Sequence, residues 1–453
     1  MKKPPFGKLL IANRGEIAIR IIRACHELGI KTVAVHSVAD EEALHVKLAS
    51  EAVCIGPAQP NQSYLDINAI ISAAVATGCN AIHPGYGFLS ENAEFAEICG
   101  QCGITFVGPS VNNINLMGDK SIARETAMSA DVPVVPGTKG AGTDSAAALV
   151  EAKEMGFPVL IKAVSGGGGR GMKIVHSEQE FKRLFDQAMS EVEAAFGDPN
   201  LYVEKFIGKA RHVEVQIIGD RFGNLIHLGE RDCSMQRRYQ KVIEESPAPN
   251  FPAHVRKEMC ESAVRLAKSI NYASCGTVEY LYDADDEKFY FIEMNTRVQV
   301  EHPVTELVTF TDIVKEQIKV AAGEELSFIQ DEIQFLGHAI EARINAEDPV
   351  SFIPCPGKIK GYHAPGGPGV RVDSAIYDGY SIPPFYDSLV SKIIVIAETR
   401  KEAIDKMLVA LNECIIGGIT TNMDLHKRIL NEKRFLDGQI HTKLIEEMLS
   451  DEA

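Results

Sequence analysis

Two runs of this sequence carry acidic and amide side chains at every second position. Gly276-Thr277-Val278-Glu279-Tyr280-Leu281 and Phe289-Tyr290-Phe291-Ile292-Glu293 read as two strands joined by a turn through residues 284–288. Side chains alternate along a strand, so Glu279 is expected directly opposite Glu293. Continued by twos, that face adds Asn295, Arg297, Gln299 and Glu301. Ile292, Met294, Val298 and Val300, broken only by Thr296, form the expected buried back. Facing carboxylates repel unless something offsets them. With the Asn295 amide oxygen they make a set of hard oxygen ligands of the kind Mg²⁺ takes alongside nucleotide phosphates. A solvated face of Glu–Arg pairs would also alternate, but it gives no reason for these residue types beside a glycine-rich loop.

That loop is Ser165-Gly166-Gly167-Gly168-Gly169-Arg170-Gly171, three residues beyond Lys162. Glycine lets a backbone approach a ligand closely, and five glycines in seven positions weaken a hairpin without structural return. No G-x-x-x-x-G-K-[ST] is present, so the run predicts a mobile phosphate lid and not a P-loop. Glu230 to Lys241 is dense in basic and amide groups, including Arg231, Gln236, Tyr239 and Lys241, and could clamp an anion. Taken alone it passes equally for a helix surface or a dimer contact. Gly85-Tyr86-Gly87-Phe88-Leu89-Ser90-Glu91-Asn92 follows an apparent strand, where open α/β sheets place ligand loops.

These side chains need a scaffold, and the first hundred residues supply one by alternating strand and helix. Lys8 to Ala12 is a short apolar run, Gly15 to Leu28 carries apolar residues at spacings of three and four, and Thr32 to Val35 is the next strand. Helix Ile67 to Ala76, Gly78 and strand Ala81-Ile82 repeat the unit, which predicts a parallel sheet covered on both faces. The first strand-to-helix turn, Ala12-Asn13-Arg14-Gly15-Glu16, lacks G-x-G-x-x-G and argues against dinucleotide binding. Pro133 to Gly137 reads as a linker into a compact unit of strands 158–163, 172–175 and 201–206 with helix 178–195. A strand-rich stretch with one long helix, 252–270, follows, and a Pro/Gly-rich segment from Pro354 to Gly369 opens a smaller β/α module.

The bulk numbers exclude several classes. The 453 residues carry a formal net charge of −16, which argues against general nucleic-acid binding. No apolar run approaches the roughly 20 residues that cross a bilayer, and no signal-type segment precedes the first strand. Ten scattered cysteines, most in apolar segments such as Ala52 to Ile55, read as reduced core-filling thiols of a cytoplasmic protein. The lone Cys99-x-x-Cys102 reads as packing.

Taken together, His83-Pro84-Gly85-Tyr86-Gly87-Phe88-Leu89-Ser90-Glu91-Asn92, the glycine loop, Arg231 to Lys241, and Phe291 to Pro303 resemble the biotin carboxylases, ATP-grasp enzymes, over essentially the whole chain. The resemblance implies an α/β (α+β) ATP-grasp fold: an N-terminal parallel α/β domain at 1–118, an ATP-grasp domain at 119–322 with a lid at about 134–206, and a C-terminal module at 323–453. It places ATP against Lys120, Lys162, Gly167, Gly168, Gly169, Glu204, Lys205, His212, Gln236, Tyr239, Glu279 and Glu293. Glu279, Glu293 and Asn295 would hold Mg²⁺ or Mn²⁺, two ions in all. Bicarbonate would meet Lys241, Arg297, Gln299, Val300 and the general base Glu301; Arg343 would stabilise the biotin enolate, with Tyr86 beside it. Catalysis would thus rest on Glu301, Arg343, Lys241 and Arg297.

The sequence departs from the family pattern at Tyr239, where a bacterial member has His, and at Pro368, where some have an aromatic near the biotin pocket. There is no Met-Lys-Met biotinylation motif, so biotin is expected on a separate carrier protein, with separate carboxyltransferase subunits completing an acetyl-CoA carboxylase. A homodimer is the family's common state. The alternatives are the carboxylase subunit of a propionyl- or other acyl-CoA system, another ATP-grasp ligase such as a carbamoyl-phosphate synthetase, and a non-catalytic ATP-binding regulator.

Overall fold

Strands β1 (Lys8–Ile11), β2 (Lys31–Ser37), β3 (Glu51–Gly56), β4 (Ala81–His83) and β5 (Thr105–Phe106) form a parallel sheet in the order β3-β2-β1-β4-β5. The computed structural model describes residues 4–138, 140, 142–163, 172–196, 199–238 and 240–451. Gly167, Gly168 and Gly169 of the glycine loop, and Tyr239, therefore lie outside the described residues. Alternation in β1 sends Leu9 and Ile11 to one face, against helix Gly15–Glu27, and Leu10 to the other, with helices Ile67–Thr77 and Ala93–Gln101. Both faces are covered, as the strand–helix rhythm predicts. Helix Ile67–Thr77 stops at Gly78, which takes the left-handed conformation (φ 68°) that glycine adopts without a Cβ penalty.

β6 (Val159–Ala163), β7 (Lys173–Val175) and β8 (Leu201–Lys205) form a separate antiparallel sheet in the order β7-β6-β8. It packs Val159, Ile161 and Val203 on Phe181 and Phe185 of helix Glu178–Phe196. Residues 133–137 are no free tether. Phe291 N donates to Pro133 O at 2.7 Å and Lys205 N to Pro136 O at 2.8 Å, so the segment is held at both ends.

The third and largest sheet comprises β9 (Ala210–Gly219), β10 (Leu225–Arg237), β11 (Gln240–Ser246), β12 (Ser274–Asp283), β13 (Lys288–Asn295), β14 (His338–Asn345), β16 (Val370–Ser374) and β17 (Leu389–Ala397). It is antiparallel throughout, in the order β13-β12-β9-β10-β11-β14-β17-β16. β15 (Tyr362–His363) pairs with β18 (Ile415–Ile416) outside it. Helix Ala253–Ser269 closes one core over β9 and β12, and helix Arg400–Glu413 closes another over β14 and β17. The Glu230 to Lys241 segment is neither helix surface nor a lone patch; it is the paired end of β10 and β11, with Gln236 opposite Lys241.

The expected strand through Glu301 is cut short. β13 pairs as far as Thr277↔Asn295, and residues 296–301 then turn into helix His302–Thr309, whose first turn holds Pro303. Ile292 does not lie on a buried back either; it is 37% exposed. Glu279 pairs with Glu293 but Tyr280 with Phe291, so Ile292 is the extra residue of a β-bulge and rolls outward. Among the cysteines, all of them unbridged, Cys54 and Cys102 are exposed, so neither fills a core; Cys99 does, and burial pushes its thiol up to about 12.

Candidate active site

Four consecutive strands put one residue each into a single row: Arg231 of β10, Glu214 of β9, Glu279 of β12 and Glu293 of β13 are successive register partners. Three carboxylates in line repel, and the charges around them supply the compensation. Arg231, fully buried, donates from Nε to Glu214 Oε1 (2.7 Å) and from its Nη atoms to Gln216 Oε1 (2.7 Å) and Gln299 Oε1 (2.8 Å). Lys241 rises from β11 between Glu214 (2.7 Å), Glu279 (3.3 Å) and Glu301 (2.5 Å). The far end of Glu301 accepts from Arg343 Nη2 at 2.9 Å, and Arg343 Nε donates to Glu244 at 2.5 Å. Although 296–301 is not a strand, it returns Gln299 and Glu301 to the bowl that alternation predicts for them.

Burial would raise every carboxyl here, yet the cations reverse it at two. Lys241 first, then His212, hold Glu279 far below its ordinary value; Lys241, Arg343 and Arg231 do the same for Glu301. Glu293 has no such clamp, and burial followed by the Glu279 charge pushes it up. Burial also lifts Glu244 to about 7 despite Arg343. Lys241 and Arg343 are burdened by desolvation, but their surrounding carboxylates keep both protonated.

Arg297 and Asn295 are tied to the N-terminal sheet. Arg297 donates from Nε to Glu91 (2.8 Å) and from Nη2 to Asn295 Oδ1 (2.7 Å), while Glu91 Oε1 accepts from Thr296 N (2.9 Å). Glu91 belongs to the loop after β4, at the carboxyl end of the parallel sheet. Asn13 Nδ2 shapes that loop by donating to the carbonyls of Pro84 and Tyr86, each at 2.7 Å. Gly85 is required there: its φ is 64°, and a Cβ would stand 2.9 Å from Asn13 Nδ2. Tyr86, Arg343, Arg297 and Val300 line one cavity of about 550 Å³. Pro368 is exposed in the turn before β16 and is not among that cavity's lining residues, so this departure from the family pattern does not reshape its wall. A larger cavity, of about 770 Å³ between Ala96 and Ala273, shares none of these residues.

On the opposite side His212 Nε2 lies 2.7 Å from Glu279 Oε2, and the Lys120 charge faces Glu293. Gln236 is buried at the paired end of β10. Lys162 and Glu204 pair with each other on the lid sheet, and Lys205 lies 3.5 Å from Asp286 in the β12–β13 turn. The structure thus gathers His212, Lys241, Glu279, Glu293, Asn295, Arg297, Gln299, Glu301 and Arg343 into one bowl, and sets Lys162, Glu204 and Lys205 on a neighbouring sheet.

A divalent cation fits the acidic edge. Glu279 and Glu293 face each other in register, and Asn295 Nδ2 donates to Glu279 at 2.8 Å, which holds its amide beside the pair. His212, Glu214 and Glu279 also bring ligating atoms within 4.8 Å of one another, but Arg231 and Lys241 already neutralise that group. Sequence reasoning assigned no role to Glu214, Glu91, Glu244 or Lys392, nor a separate one to Arg231. The alternation His212-Val213-Glu214-Val215-Gln216 in a buried strand, and a lone lysine inside Leu389–Ala397, were the signals available.

A sheet of charged registers beside a separate three-stranded sheet is the arrangement of an ATP-grasp ligase, and three family models agree. Carbamoyl-phosphate synthase L chain, ATP binding domain, matches residues 119–329; Biotin carboxylase, N-terminal domain, matches 5–114; Biotin carboxylase C-terminal domain matches 341–447. The chain is 54% identical to biotin carboxylase 1 of Bacillus subtilis, over 97% of this chain and 98% of that one, and 56% identical to the Pseudomonas aeruginosa biotin carboxylase, over 98% of both. It superposes on a Campylobacter jejuni biotin carboxylase crystallised as a β,γ-ATP complex with a TM-score of 0.89 at 50% identity, covering 98% and 99% of the two chains. The biotin carboxylase domain dimer of Hydrogenobacter thermophilus 2-oxoglutarate carboxylase, solved with MgADP, ADP and bicarbonate, gives 0.87 at 49% identity, covering 98% and 97%. The chain belongs to the biotin carboxylase family, and is an enzyme of that class.

Proposed function

We propose that this enzyme uses ATP and bicarbonate to carboxylate biotin held on a biotin carboxyl carrier protein, through carboxyphosphate. The observation that carries this reading is the Glu301 carboxylate, buried and clamped between Lys241 and Arg343. Bicarbonate is a poor nucleophile, so it needs a positioned base and cationic holders before it attacks the γ-phosphate. Lys241, Arg297, Gln299 and Val300 hold it, and Glu301 takes its proton. In the free site Glu301 is a weak base because Lys241, Arg343 and Arg231 hold it low. An anion arriving among Lys241 and Arg297 shares those cations and adds negative charge, and both effects raise the proton affinity of Glu301. The base is thus switched on by its substrate.

Glu279, Glu293 and Asn295 would hold Mg²⁺ or Mn²⁺, which supplies charge neutralisation for the phosphates. Lys120 and His212 stand beside this edge; Lys162, Glu204, Lys205 and Gln236, with the glycine run and Tyr239, are assigned to the nucleotide. Arg343, on the cavity wall shared with Tyr86, stabilises the biotin enolate. A division into units near residues 118 and 322 belongs to this reading; the family-model matches over 5–114, 119–329 and 341–447 support it, although β11 pairs with β14 across the second boundary.

The reading extends to a cytoplasmic subunit of acetyl-CoA carboxylase, working with a carboxyltransferase and as a homodimer. The dimeric Hydrogenobacter relative supports the last point. Among the described residues no helix is long and apolar enough to cross a membrane. Labelled bicarbonate, supplied with ATP, Mg²⁺ and biotinylated carrier protein, is expected to yield acid-labile label on the carrier. A carrier left unlabelled while ATP is consumed would contradict the reading.

A further inference from the structure

β17 reads Leu-Val-Ser-Lys-Ile-Ile-Val-Ile-Ala, and its single charge, Lys392, is fully buried. Its register partners are Arg343 of β14 on one side and Asp373 of β16 on the other. Two cations side by side across strands repel, and a buried ammonium is costly unless it is paired. Lys392 Nζ lies 3.1 Å from Glu16 Oε1 and donates to the Val300 carbonyl at 2.7 Å. The same Glu16 oxygen accepts from the Tyr86 hydroxyl at 2.5 Å. Asp373 adds further negative charge around the ammonium. An unbroken path therefore runs Tyr86–Glu16–Lys392–Val300, from one wall of the 550 Å³ cavity to the loop that carries Gln299 and Glu301.

We infer that Lys392 is a positioning residue which locks the 299–301 loop to the wall that Tyr86 forms. It touches neither substrate. By holding the Val300 carbonyl it fixes the plane of the 300–301 peptide, and with it the approach of the Glu301 backbone N–H and side chain to bicarbonate. Through Glu16 the same ammonium holds the Tyr86 hydroxyl, so the bicarbonate side and the biotin side share one support. The inference rests on the assignment of bicarbonate to the 299–301 loop and of biotin to Tyr86 and Arg343. A lysine that merely balanced buried charge would affect stability, and through it the active fraction, but would leave each Michaelis constant where it is.

The test is steady-state kinetics of the full-length enzyme with ATP, Mg²⁺, bicarbonate and free biotin. Lys392→Met is expected to raise the KM for bicarbonate and for biotin about tenfold each, as loss of a charged hydrogen bond would, with the KM for ATP within about twofold of wild type. A fall in kcat alone, or a proportionate rise in all three constants, overturns the inference. If Lys392→Met does not fold, Glu16→Gln is measured in the same way; a smaller rise confined to the same two constants supports it, and unchanged constants overturn it. A wild-type enzyme with no bicarbonate-dependent turnover would instead sink the underlying assignment, whatever the variants do.

Discussion

The bowl on the large sheet and the lid on the small one use the same pairing of Lys or Arg with Glu, in opposite settings. Arg231–Glu214 is wholly buried and Lys241–Glu301 nearly so, whereas Lys162–Glu204 and Lys205–Asp286 are partly open to solvent. Breaking a buried pair strands a charge, while an exposed pair exchanges partners at little cost. The bowl is therefore set before any substrate arrives, and under the proposed function the lid cations leave their carboxylates for a nucleotide. Positioning belongs to one region and capture to the other.

Arg231→Met is the severest way to break that contrast, because it takes the Arg231 donor from Gln216 and Gln299 and leaves the buried Glu214 with Lys241 alone. It should cost about 3–5 kcal/mol in urea unfolding; a loss below about 1 kcal/mol would show that the bowl is not held by its buried charges. Glu301→Gln keeps the shape and removes the base, so turnover should fall at least about 100-fold while ATP binding, measured calorimetrically, stays as it was. Unchanged turnover would remove Glu301 from the chemistry.

Acid should weaken the fold through its buried histidines. His45 and His426 are fully buried and burial lowers each to about 4; His426 Nε2 lies 2.7 Å from the carbonyl oxygen of Arg343. Both remain neutral in the fold while the unfolded chain takes up protons below its ordinary value near 6.5. Their contribution is thus complete above about pH 6.5 and is lost as pH falls toward 4, about 2 kcal/mol for each by pH 5. Glu244, lifted to about 7, works in the opposite sense over this range, so the check is made on variants. A pH 7.5-to-5 change in unfolding free energy that is the same in His45→Gln and His426→Gln as in wild type would contradict this. The mildest change is Lys162→Met on the lid, expected to cost under about 1 kcal/mol of stability and to raise the KM for ATP about tenfold, with the KM for bicarbonate unmoved. A shift in the bicarbonate constant would join the two regions that the structure separates.

The Glu279–Glu293 pairing was legible because alternation and a short turn fix the register of a hairpin. The parallel sheet was legible for a similar reason, since period and breakers recur together. The end of β13 was not: a bulge at Ile292 and the helix start around Pro303 are departures that no two-residue period carries. Alternation still placed Gln299 and Glu301 correctly, because the irregular loop folds back to the same bowl. Glu214 and Arg231 pair across one hairpin, but they escaped assignment because the groups that complete their row, Glu279 and Gln299, come from far along the chain. Lys392 passed unread as a charge in an apolar run, and only the fold joins it to Val300. The step from ATP-grasp ligase to biotin carboxylase came from resemblance, and relatives matched over nearly their whole length bear out that family membership.

The most direct test of this account is the initial rate of ATP cleavage by the purified enzyme with Mg²⁺, in bicarbonate-free buffer and after addition of bicarbonate with or without free biotin. Cleavage should depend on bicarbonate and be accelerated by biotin. Equal rates under all three conditions would contradict it.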